Sequence, residues 1–241
     1  MTEVGDTYQV ADMQARTDDL YARAKYEVIL AYLSTSPPLR ILNAGCGSGE
    51  LSFLLAERGN IVVGIDPAKD YIELARRQAL RDPAGRCVFE VAGIEDYEPR
   101  ELFDCVVATD VLEHIGDDGG ALAKLVKMVR PEGIVVLTVP ACMWLFGYHD
   151  DQLGHLRRYS SGGLRRLAEG VLTVDRVRYF GASLIPACLF YSRWMRWPYP
   201  VAEMGRSNSL VSRILRSLLF FEVRVPLPVG TSVILRGFKR R

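Results

Sequence analysis

The chain has 241 residues, 49% of them hydrophobic, which suits one α/β domain with a full core and excludes an intrinsically disordered chain. Its formal net charge of +1 conceals an uneven distribution, since residues 1–156 carry 14 Lys/Arg against 25 Asp/Glu and residues 157–241 carry 16 against 4. The basic part is either a solvated arginine-rich face or a surface that attracts an anionic substrate, a phospholipid headgroup or nucleic acid.

The first 36 residues are predicted to form a helical lead. The stretch from Met1 to Asp19 is polar and acidic, so we expect no secretory signal in it. The segment Thr17-Asp18-Asp19 is predicted to start a helix, because its two aspartates would lie in the first turn. An amphipathic pattern continues from there to about Leu33. Pro37-Pro38 would end this unit before the first strand.

The next stretch combines a short apolar strand, a turn rich in glycine and a segment that is compatible with a helix from Glu50. The turn holds three glycines on alternate positions, Gly45, Gly47 and Gly49. Because glycine lacks a Cβ and tolerates a positive φ, such a turn lets backbone N–H groups come close to a ligand. The following apolar run, 61–65, ends at Asp66, whose carboxylate can accept hydrogen bonds from both hydroxyls of a ribose. This region is therefore predicted to hold a cofactor that contains adenosine.

Three further strands and a helix extend the pattern. A third strand is predicted at 87–91 and a fourth, almost continuously apolar, at 103–109. An apolar run of this kind suits a parallel strand that is covered on both faces. The fourth strand delivers Asp110-Val111-Leu112-Glu113-His114 at its carboxyl end, the edge at which open α/β sheets bind ligands. A helix at 117–129 and a fifth strand at 134–139 follow.

In the order and spacing of its motifs, the segment from Arg40 to Pro140 resembles the class I S-adenosylmethionine (SAM) methyltransferases. The Gly-x-Gly-x-Gly turn is similar to their first motif, whereas the dinucleotide fingerprint of NAD enzymes needs a small residue where Glu50 stands. The run 103–114 resembles their fourth motif, and Arg130-Pro131-Glu132-Gly133 resembles their Lys-Pro-Gly-Gly turn. The resemblance implies a Rossmann-like α/β fold with seven mostly parallel strands, an antiparallel last strand, helices on both faces and a helical insertion before the last strand.

The same resemblance implies that SAM binds at the carboxyl edge of the sheet. The expected contacts come from the glycine turn, the ends of the second and fourth strands and the loop after the third, namely Asn43, Gly45, Cys46, Gly47, Gly49, Asp66, Pro67, Tyr71, Ile94, Glu95, Thr109 and Asp110. Two positions depart from the family pattern. Gly93 stands where an Asp that binds the adenine amine is frequent, and Asn43 stands where an acid usually helps to hold the ammonium group of SAM. Backbone carbonyls or Asp110 would supply part of that attraction.

The segment 141–180 is predicted to face the acceptor of the methyl group. After strand five it resembles a subgroup of bacterial methyltransferases that carry a His-Asp, a Gly-His and an Arg-Arg-Tyr in this place. The residues expected to contact the acceptor are Trp144, Tyr148, His155, Arg157, Arg158 and Tyr159. The two arginines are suited to clamp a carboxylate or a phosphate. In the alternative interpretation, His155 and Arg157 only brace the loop.

An oxygen or carbon acceptor must lose a proton, and histidine is the side chain whose pKa lies closest to the working pH. The chain has three histidines, His114, His149 and His155. We expect His149 to act as the base or as a substrate contact, oriented by its neighbour Asp150, and His114 is the other catalytic candidate. An amine acceptor would need no strong base. Neither Cys-x-x-Cys nor His-x-x-x-His spacing occurs, so the sequence predicts no metal site.

The chain is predicted to continue with a helix at 162–169, a sixth strand at 172–180 and a last strand within 230–241. Between these strands lies an insertion, 181–229. Apolar side chains recur there at helical spacing, at Leu210, Val211, Ile214, Leu215, Leu218 and Leu219. Three interpretations of this stripe stay open: packing on the core, a substrate lid or homodimer contact, and a helix at a membrane interface, which nearby arginines and tryptophans favour.

All 241 residues are thus predicted to form one domain, with a lead at 1–36, the SAM-binding core at 37–140, the substrate side at 141–180, the insertion at 181–229 and the last strand at 230–241. The expected activity is methyl transfer from SAM to the oxygen or nitrogen of a small-molecule or lipid- or sugar-linked acceptor. A SAM-binding protein that does not methylate and a rearrangement catalyst are the alternatives. A nucleic-acid methyltransferase is disfavoured, because strand four lacks the Asn/Asp-Pro-Pro-Tyr/Phe/Trp tetrapeptide.

Cysteine usage and hydropathy suggest a location. The five cysteines are scattered singly, which is typical of reduced thiols inside cells. The uncharged run from Tyr179 to Ser192 is shorter than the roughly 20 residues that a membrane-spanning helix needs. We therefore expect a cytoplasmic protein, with peripheral contact at a membrane as an option.

Overall fold

A computed structural model describes residues 19–33, 38–81, 84–197 and 209–241. The strands are β1 (Arg40–Ala44), β2 (Ile61–Asp66), β3 (Cys87–Val91), β4 (Phe103–Thr109), β5 (Val129–Pro140), β6 (Leu172–Phe180) and β7 (Ser232–Lys239). The helices are α1 (Leu20–Leu33), α2 (Glu50–Glu57), α3 (Lys69–Ala79), α4 (Asp118–Lys127), α5 (Tyr148–Leu153), α6 (Ser161–Glu169), α7 (Ile185–Ala187) and α8 (Leu210–Arg224). Thr17 and Asp18 of the predicted helix start, and Pro37 of the predicted break, lie outside the described residues.

The seven strands form one sheet in the order β3-β2-β1-β4-β5-β7-β6. The neighbours from β3 to β5 pair in parallel, whereas β7 is antiparallel to both β5 and β6. Because the chain order reverses between β1 and β4, the carboxyl ends of these two strands flank a crevice of the kind in which open α/β sheets bind ligands. The predicted Rossmann-like fold with an antiparallel last strand is confirmed.

Helices cover both faces of the sheet, as the apolar β4 requires. On one face, α4 and α6 pack against Leu42, Val106 and neighbouring side chains. On the other face, α1, α2, α3 and α8 pack against Ile41, Val107 and their neighbours. Alternate residues of each central strand thus pack into two separate hydrophobic cores, and both faces of β1 and β4 are largely buried from solvent.

Most element boundaries agree with the sequence to within a few residues, and β6 has the predicted bounds. The helix predicted at 162–169 begins one residue earlier, because the Ser160 hydroxyl accepts a hydrogen bond from the Gly163 N–H at 3.0 Å and acts as its N-cap. The largest difference is at β5, which begins at Val129 rather than at 134.

The helix α8 forms where the apolar stripe predicted it, but only part of that stripe is buried. Its buried residues are Ser212, Leu215, Leu219 and Glu222. The other stripe residues, Leu210, Val211, Ile214 and Leu218, are exposed. Packing on the core therefore accounts for one edge of the stripe and leaves the rest facing outward. No helix among the described residues is long and apolar enough to cross a membrane.

Candidate active site

The glycine turn and Asp66 meet at the carboxyl ends of β1 and β2. The Asp66 carboxylate accepts hydrogen bonds from the N–H groups of Gly47, at 3.0 Å, and Ala68, at 2.9 Å. Gly47 has φ +53°, and no atom lies within 4 Å of the place where a Cβ would stand. The backbone at Gly47 is thus open on its outer side, where a ligand can approach it. A carboxylate oxygen accepts more than one hydrogen bond, so Asp66 can also receive the hydroxyls of a ribose.

Two buried polar atoms near this edge have no hydrogen-bond partner among the described residues, the Asn43 Oδ1 and the Thr109 Oγ1. The Asn43 amide donates to the Ser52 hydroxyl on α2 at 2.9 Å. Asn43 is only 1% exposed, so it lies beneath the glycine turn rather than in the crevice. Thr109 ends β4 and is part-exposed, which leaves its hydroxyl beside the edge where a polar ligand would bind.

An ion pair that the sequence did not predict closes this edge from the side of α1. Lys25, whose side chain is 5% exposed, is hydrogen-bonded to Asp110, which also accepts a hydrogen bond from the Thr138 hydroxyl at 2.9 Å. Burial alone would lower the pKa of Lys25, but the charge of Asp110 outweighs it and holds this pKa above its ordinary value. Burial likewise opposes ionisation of Asp110, yet the Lys25 ammonium holds the Asp110 pKa below its ordinary value. The sequence signal for this pair is that Lys25 stands three and four residues before the apolar Val28 and Ile29, on the buried side of α1.

The remaining predicted cofactor residues surround the same edge. Ile94 is 4% exposed and packs in the core below the loop that follows β3, while Glu95 on that loop is exposed. Cys46 is buried within the glycine turn, and burial raises the pKa of its thiol. Pro67 is exposed and Tyr71 half-buried near the start of α3.

The segment 141–159 forms a closed loop beside this edge. Its two ends pair through backbone hydrogen bonds, from the Cys142 N–H to the Tyr159 carbonyl at 2.9 Å and from the Tyr159 N–H to the Pro140 carbonyl at 2.8 Å. Inside the loop, Trp144 is exposed and Tyr148 half-buried. The loop therefore presents at least one aromatic side chain to solvent.

Asp150 organises the interior of the loop. Its carboxylate is 0% exposed and accepts hydrogen bonds from Arg158, through Nε at 2.7 Å and through NH2 at 2.9 Å, and from the Gly147 N–H at 3.0 Å. The His155 Nδ1 lies 2.8 Å from the same carboxylate. Burial would raise the pKa of Asp150, but the hydrogen bonds from His155 and Arg158 outweigh it and lower this pKa to about 2.

This arrangement changes the roles that the sequence suggested for the loop. Asp150 was expected to orient its neighbour His149, but the structure joins it to His155 and Arg158. The His149 backbone N–H donates to the Ser192 hydroxyl at 3.0 Å. Since the Arg158 side chain is only 5% exposed and forked onto Asp150, it supports that carboxylate and does not offer a free clamp for an anion.

Arg157 and Tyr159 also have partners within the protein. The Arg157 guanidinium lies 2.9 Å from the Asp118 carboxylate and donates to the Gly116 carbonyl at 2.9 Å. The Tyr159 hydroxyl donates to the same Asp118 carboxylate at 2.8 Å. These contacts favour the alternative in which Arg157 braces the loop against the start of α4.

Two segments that are distant in sequence bring Glu113, His114 and His155 together. The Leu156 N–H donates to the Glu113 carbonyl at 2.8 Å and fixes the loop to the turn after β4. The His155 Nε2 lies 4.0 Å from the Glu113 Oε1, and the rings of His114 and His155 meet edge to face at 4.8 Å. Glu113 is 0% exposed, and neither of its carboxylate oxygens has a hydrogen-bond partner among the described residues. Burial and the nearby charge of Asp110 raise the pKa of Glu113 well above its ordinary value.

A family model described as a methyltransferase domain matches residues 36–163, which include the glycine turn, Asp66 and the turn after β4. The chain belongs to this methyltransferase-domain family. The resemblance drawn from the sequence motifs is thereby confirmed, and the NAD alternative is not supported.

Curated relatives match about half of this chain or less. It is 33% identical over 121 residues to the ubiquinone biosynthesis O-methyltransferase of Bradyrhizobium diazoefficiens, which covers 50% of this chain and 47% of the relative. Its identity to the protein of the same name from Azorhizobium caulinodans is 41% over 102 residues, or 42% and 40% of the two chains. The matched part thus spans about half the length of these relatives or less.

Solved structures share the fold of this chain at lower sequence identity. The N-methyltransferase NodS of Bradyrhizobium japonicum WM9, in complex with S-adenosylhomocysteine, aligns over 92% of this chain and 88% of its own, with a TM-score of 0.60 and 16% identity. The 1,6-didemethyltoxoflavin-N1-methyltransferase of Burkholderia thailandensis aligns over 99% and 88%, with a TM-score of 0.64 and 16% identity. At such identities the likeness concerns the fold alone.

Proposed function

We propose that the protein transfers a methyl group from SAM to a small-molecule acceptor, at an oxygen or nitrogen atom. The observation that carries the proposal is the pairing of an open glycine backbone at Gly47 with the Asp66 carboxylate, at the edge where a cluster of titratable side chains also lies. Gly47 and Asp66 would form a site for the nucleoside of SAM, and the titratable cluster would offer groups for an acceptor. The names of the relatives, which include O- and N-methyltransferases, support the same chemistry.

Within this proposal, SAM supplies a methyl group that its sulfonium charge has already activated. Asp66 would accept the ribose hydroxyls, and the open side of the Gly47 backbone would let the cofactor approach closely. The Lys25–Asp110 pair would balance the charges of the amino-acid end, Asp110 for the ammonium and Lys25 for the carboxylate. The protein then has to align the acceptor, exclude water and, for a hydroxyl acceptor, remove a proton.

Calorimetric titration and product analysis test this proposal. We expect the full chain to bind SAM and not NAD, and to transfer an isotope-labelled methyl group to a component of a metabolite extract, detected by mass spectrometry. Binding of SAM without any labelled product would favour a non-methylating SAM protein. Absence of SAM binding would overturn the proposal.

We propose His149 as the group that removes the proton of a hydroxyl acceptor, because the pKa of histidine lies close to the working pH. The His155 Nδ1 lies 2.8 Å from Asp150 and its Nε2 faces Glu113, so His155 has partners within the protein. Replacement of His149 by Ala should lower kcat/KM and change its pH profile if His149 is the base. An unchanged profile would remove His149 from the mechanism.

We further propose that the protein meets its acceptor at an anionic membrane surface and is otherwise cytoplasmic. The exposed face of α8 carries Leu210 and Ile214, and Trp194 in the preceding segment is 74% exposed. Arginines accompany this apolar surface on α8, at Arg213, Arg216 and Arg224, and the single acid of the helix, Glu222, is buried. An apolar face with a basic border is complementary to a bilayer that contains acidic lipids, and such a site would suit a lipid-linked acceptor.

Sedimentation with vesicles tests this membrane proposal. The protein should bind vesicles of phosphatidylglycerol and phosphatidylcholine, and bind weakly to phosphatidylcholine alone. The double variant Leu210→Ser, Ile214→Ser should lose binding, because both side chains are exposed and their removal leaves the core unchanged. A matched control is Val88→Ser, since Val88 is exposed on β3 at the other end of the sheet. If the double variant instead converts a homodimer to a monomer and vesicle binding persists, the surface is a contact between copies and the proposal fails.

A further inference from the structure

We propose that Glu113, His114 and His155 form a binding site for a divalent cation of the Zn²⁺ class. The oxygen and nitrogen atoms with which these three side chains would bind a metal all lie within 4.8 Å of one another. Two imidazoles with one carboxylate form a ligand set that suits Zn²⁺ and related borderline cations, whereas Mg²⁺ and Ca²⁺ prefer oxygen ligands.

The carboxylate of Glu113 gives the first independent reason. A buried polar group normally has a hydrogen-bond partner, because its loss of solvation is costly. Glu113 is 0% exposed, yet both its oxygens have no hydrogen-bond partner among the described residues, and one of them faces the His155 Nε2 across 4.0 Å. A cation between this Glu113 oxygen and the His155 Nε2 would be bound by both atoms.

The orientation of His155 gives the second reason. Its Nδ1 lies 2.8 Å from Asp150, whose carboxylate is held in turn by two hydrogen bonds from Arg158. A carboxylate that accepts the Nδ1 proton leaves the Nε2 lone pair available and fixes the ring plane, which is the usual support of a histidine that binds a metal. Arg158 thus acts on the site through Asp150, as a positioning residue.

Near the cluster, Glu113 is the acidic side chain that is available to bind a cation, because the neighbouring acids are paired with basic side chains. Two other acids nearby, the buried Asp150 and the part-exposed Asp110, are paired with Arg158 and Lys25 respectively. Around a tetrahedral Zn²⁺ with bonds of about 2.0–2.1 Å, neighbouring ligand atoms lie roughly 3.3 Å apart. The Glu113 and His155 atoms would therefore have to close by less than about 1 Å, which a side-chain rotation achieves.

The spacing of metal-ligand motifs in the sequence did not predict this site, because its ligands come from two separate segments. Glu113 and His114 follow β4, whereas His155 lies in the loop after β5, about forty residues later. Three protein ligands leave one position of a tetrahedral site for a water molecule or for a hydroxyl of the acceptor. The site thus adds to the proposed function a preference for oxygen acceptors, while metal binding itself does not depend on methyl transfer.

The test is metal binding by the full chain after treatment with a chelator and dialysis, in the absence of SAM. We expect about one Zn²⁺ per chain by calorimetry and a rise in the melting temperature on addition of Zn²⁺, since a ligand that binds only the folded state stabilises it. Mg²⁺ should produce neither effect. Co²⁺ should give the visible absorption of a site with nitrogen ligands.

The decisive variant is Glu113→Gln, because the Glu113 carboxylate makes no hydrogen bond among the described residues that the substitution could break, and the backbone hydrogen bond from Leu156 is kept. We expect this variant to fold, as judged by circular dichroism, and to bind Zn²⁺ at least about 100-fold more weakly. His155→Gln should show the same loss, and His149→Gln, in the same loop but outside the cluster, is the matched control and should bind like the wild type. Equal affinity of Glu113→Gln and the wild type, loss of binding in His149→Gln, or no Zn²⁺ binding by the wild type would overturn the inference. None of these outcomes bears on whether the chain methylates an acceptor.

Discussion

Replacement of Asp150 by Asn tests the electrostatic account of the loop after β5. Asn keeps the shape of the side chain and one acceptor oxygen, but its amide group would face donors from His155 and Arg158. The guanidinium of Arg158, only 5% exposed, would lose its counter-ion. A buried charge without a partner is strongly destabilising, so the free energy of unfolding should fall.

The pKa of Asp150 gives the scale of this loss. The pKa falls from an ordinary value of 3.8 to about 2, and at about 1.4 kcal/mol per pKa unit this corresponds to about 2–3 kcal/mol. Removal of one partner of a buried pair typically costs about 3–5 kcal/mol. We therefore expect Asp150→Asn to lower the free energy of unfolding at pH 7 by about 3 kcal/mol.

The sign of the pH dependence follows from the lowered pKa. Because the folded state binds the Asp150 proton more weakly than the unfolded state does, the stabilisation is complete above about pH 4 and disappears as the pH falls through about 2. Urea denaturation of both proteins at pH 7, 5 and 3.5 should show a constant difference at the two higher values and a smaller one at the lowest. Glu169→Gln, in an exposed pair with Arg165, is the control and should change stability by less than about 1 kcal/mol. A loss below about 1 kcal/mol for Asp150→Asn, or a difference that grows as the pH falls, would refute this reasoning.

Three further predictions concern the edges of the site. The Glu222 carboxylate accepts hydrogen bonds from three consecutive backbone N–H groups, at residues 181–183. Glu222→Ala should therefore lower the free energy of unfolding, measured by urea denaturation, by about 3 kcal/mol, and Glu222→Gln, which keeps one acceptor oxygen, should lower it by less. Equal losses in the two variants would contradict this. Lys25→Met should weaken SAM binding about tenfold or more in calorimetry, because the cofactor carboxylate would lose the ammonium group of Lys25. Unchanged affinity would place the pair outside the cofactor site. Gly47→Ala should fold, since the space beside it is open, although the positive φ at this position costs an alanine about 1–2 kcal/mol. Its Cβ would stand where the cofactor approaches, so SAM affinity should fall by about tenfold or more while the melting temperature falls by only a few degrees. A variant that binds SAM normally would show that the turn has another role.

The sequence predicted those features that depend on local patterns. Alternating glycines, the apolar run of β4 and the Ser160 cap each determine local backbone structure from a few neighbouring residues, and the corresponding elements lie where they were expected. The seven-stranded, mostly parallel sheet with an antiparallel last strand followed from the family resemblance.

The sequence could not predict contacts that depend on how distant segments meet. Adjacent positions suggested that Asp150 orients His149, but the helix α5 and the following turn bring His155 and Arg158 to that carboxylate instead. In α8 the stripe of leucines concealed the burial of Glu222, which depends on N–H groups that follow β6. Polar residues on a buried helix face are found only when their partners elsewhere in the chain are known.

The contribution of α1 to the proposed cofactor site matters for the design of truncated fragments of this protein. The family match begins at residue 36, but Lys25 reaches Asp110 from before that point, and the Tyr21 hydroxyl lies 2.6 Å from the Ser232 hydroxyl at the start of β7. A recombinant fragment cut to the matched boundaries would discard the counter-ion of Asp110 together with two strands of the sheet. Its failure to take up cofactor would then report on the choice of cloning boundary and not on the catalytic competence of the parent chain.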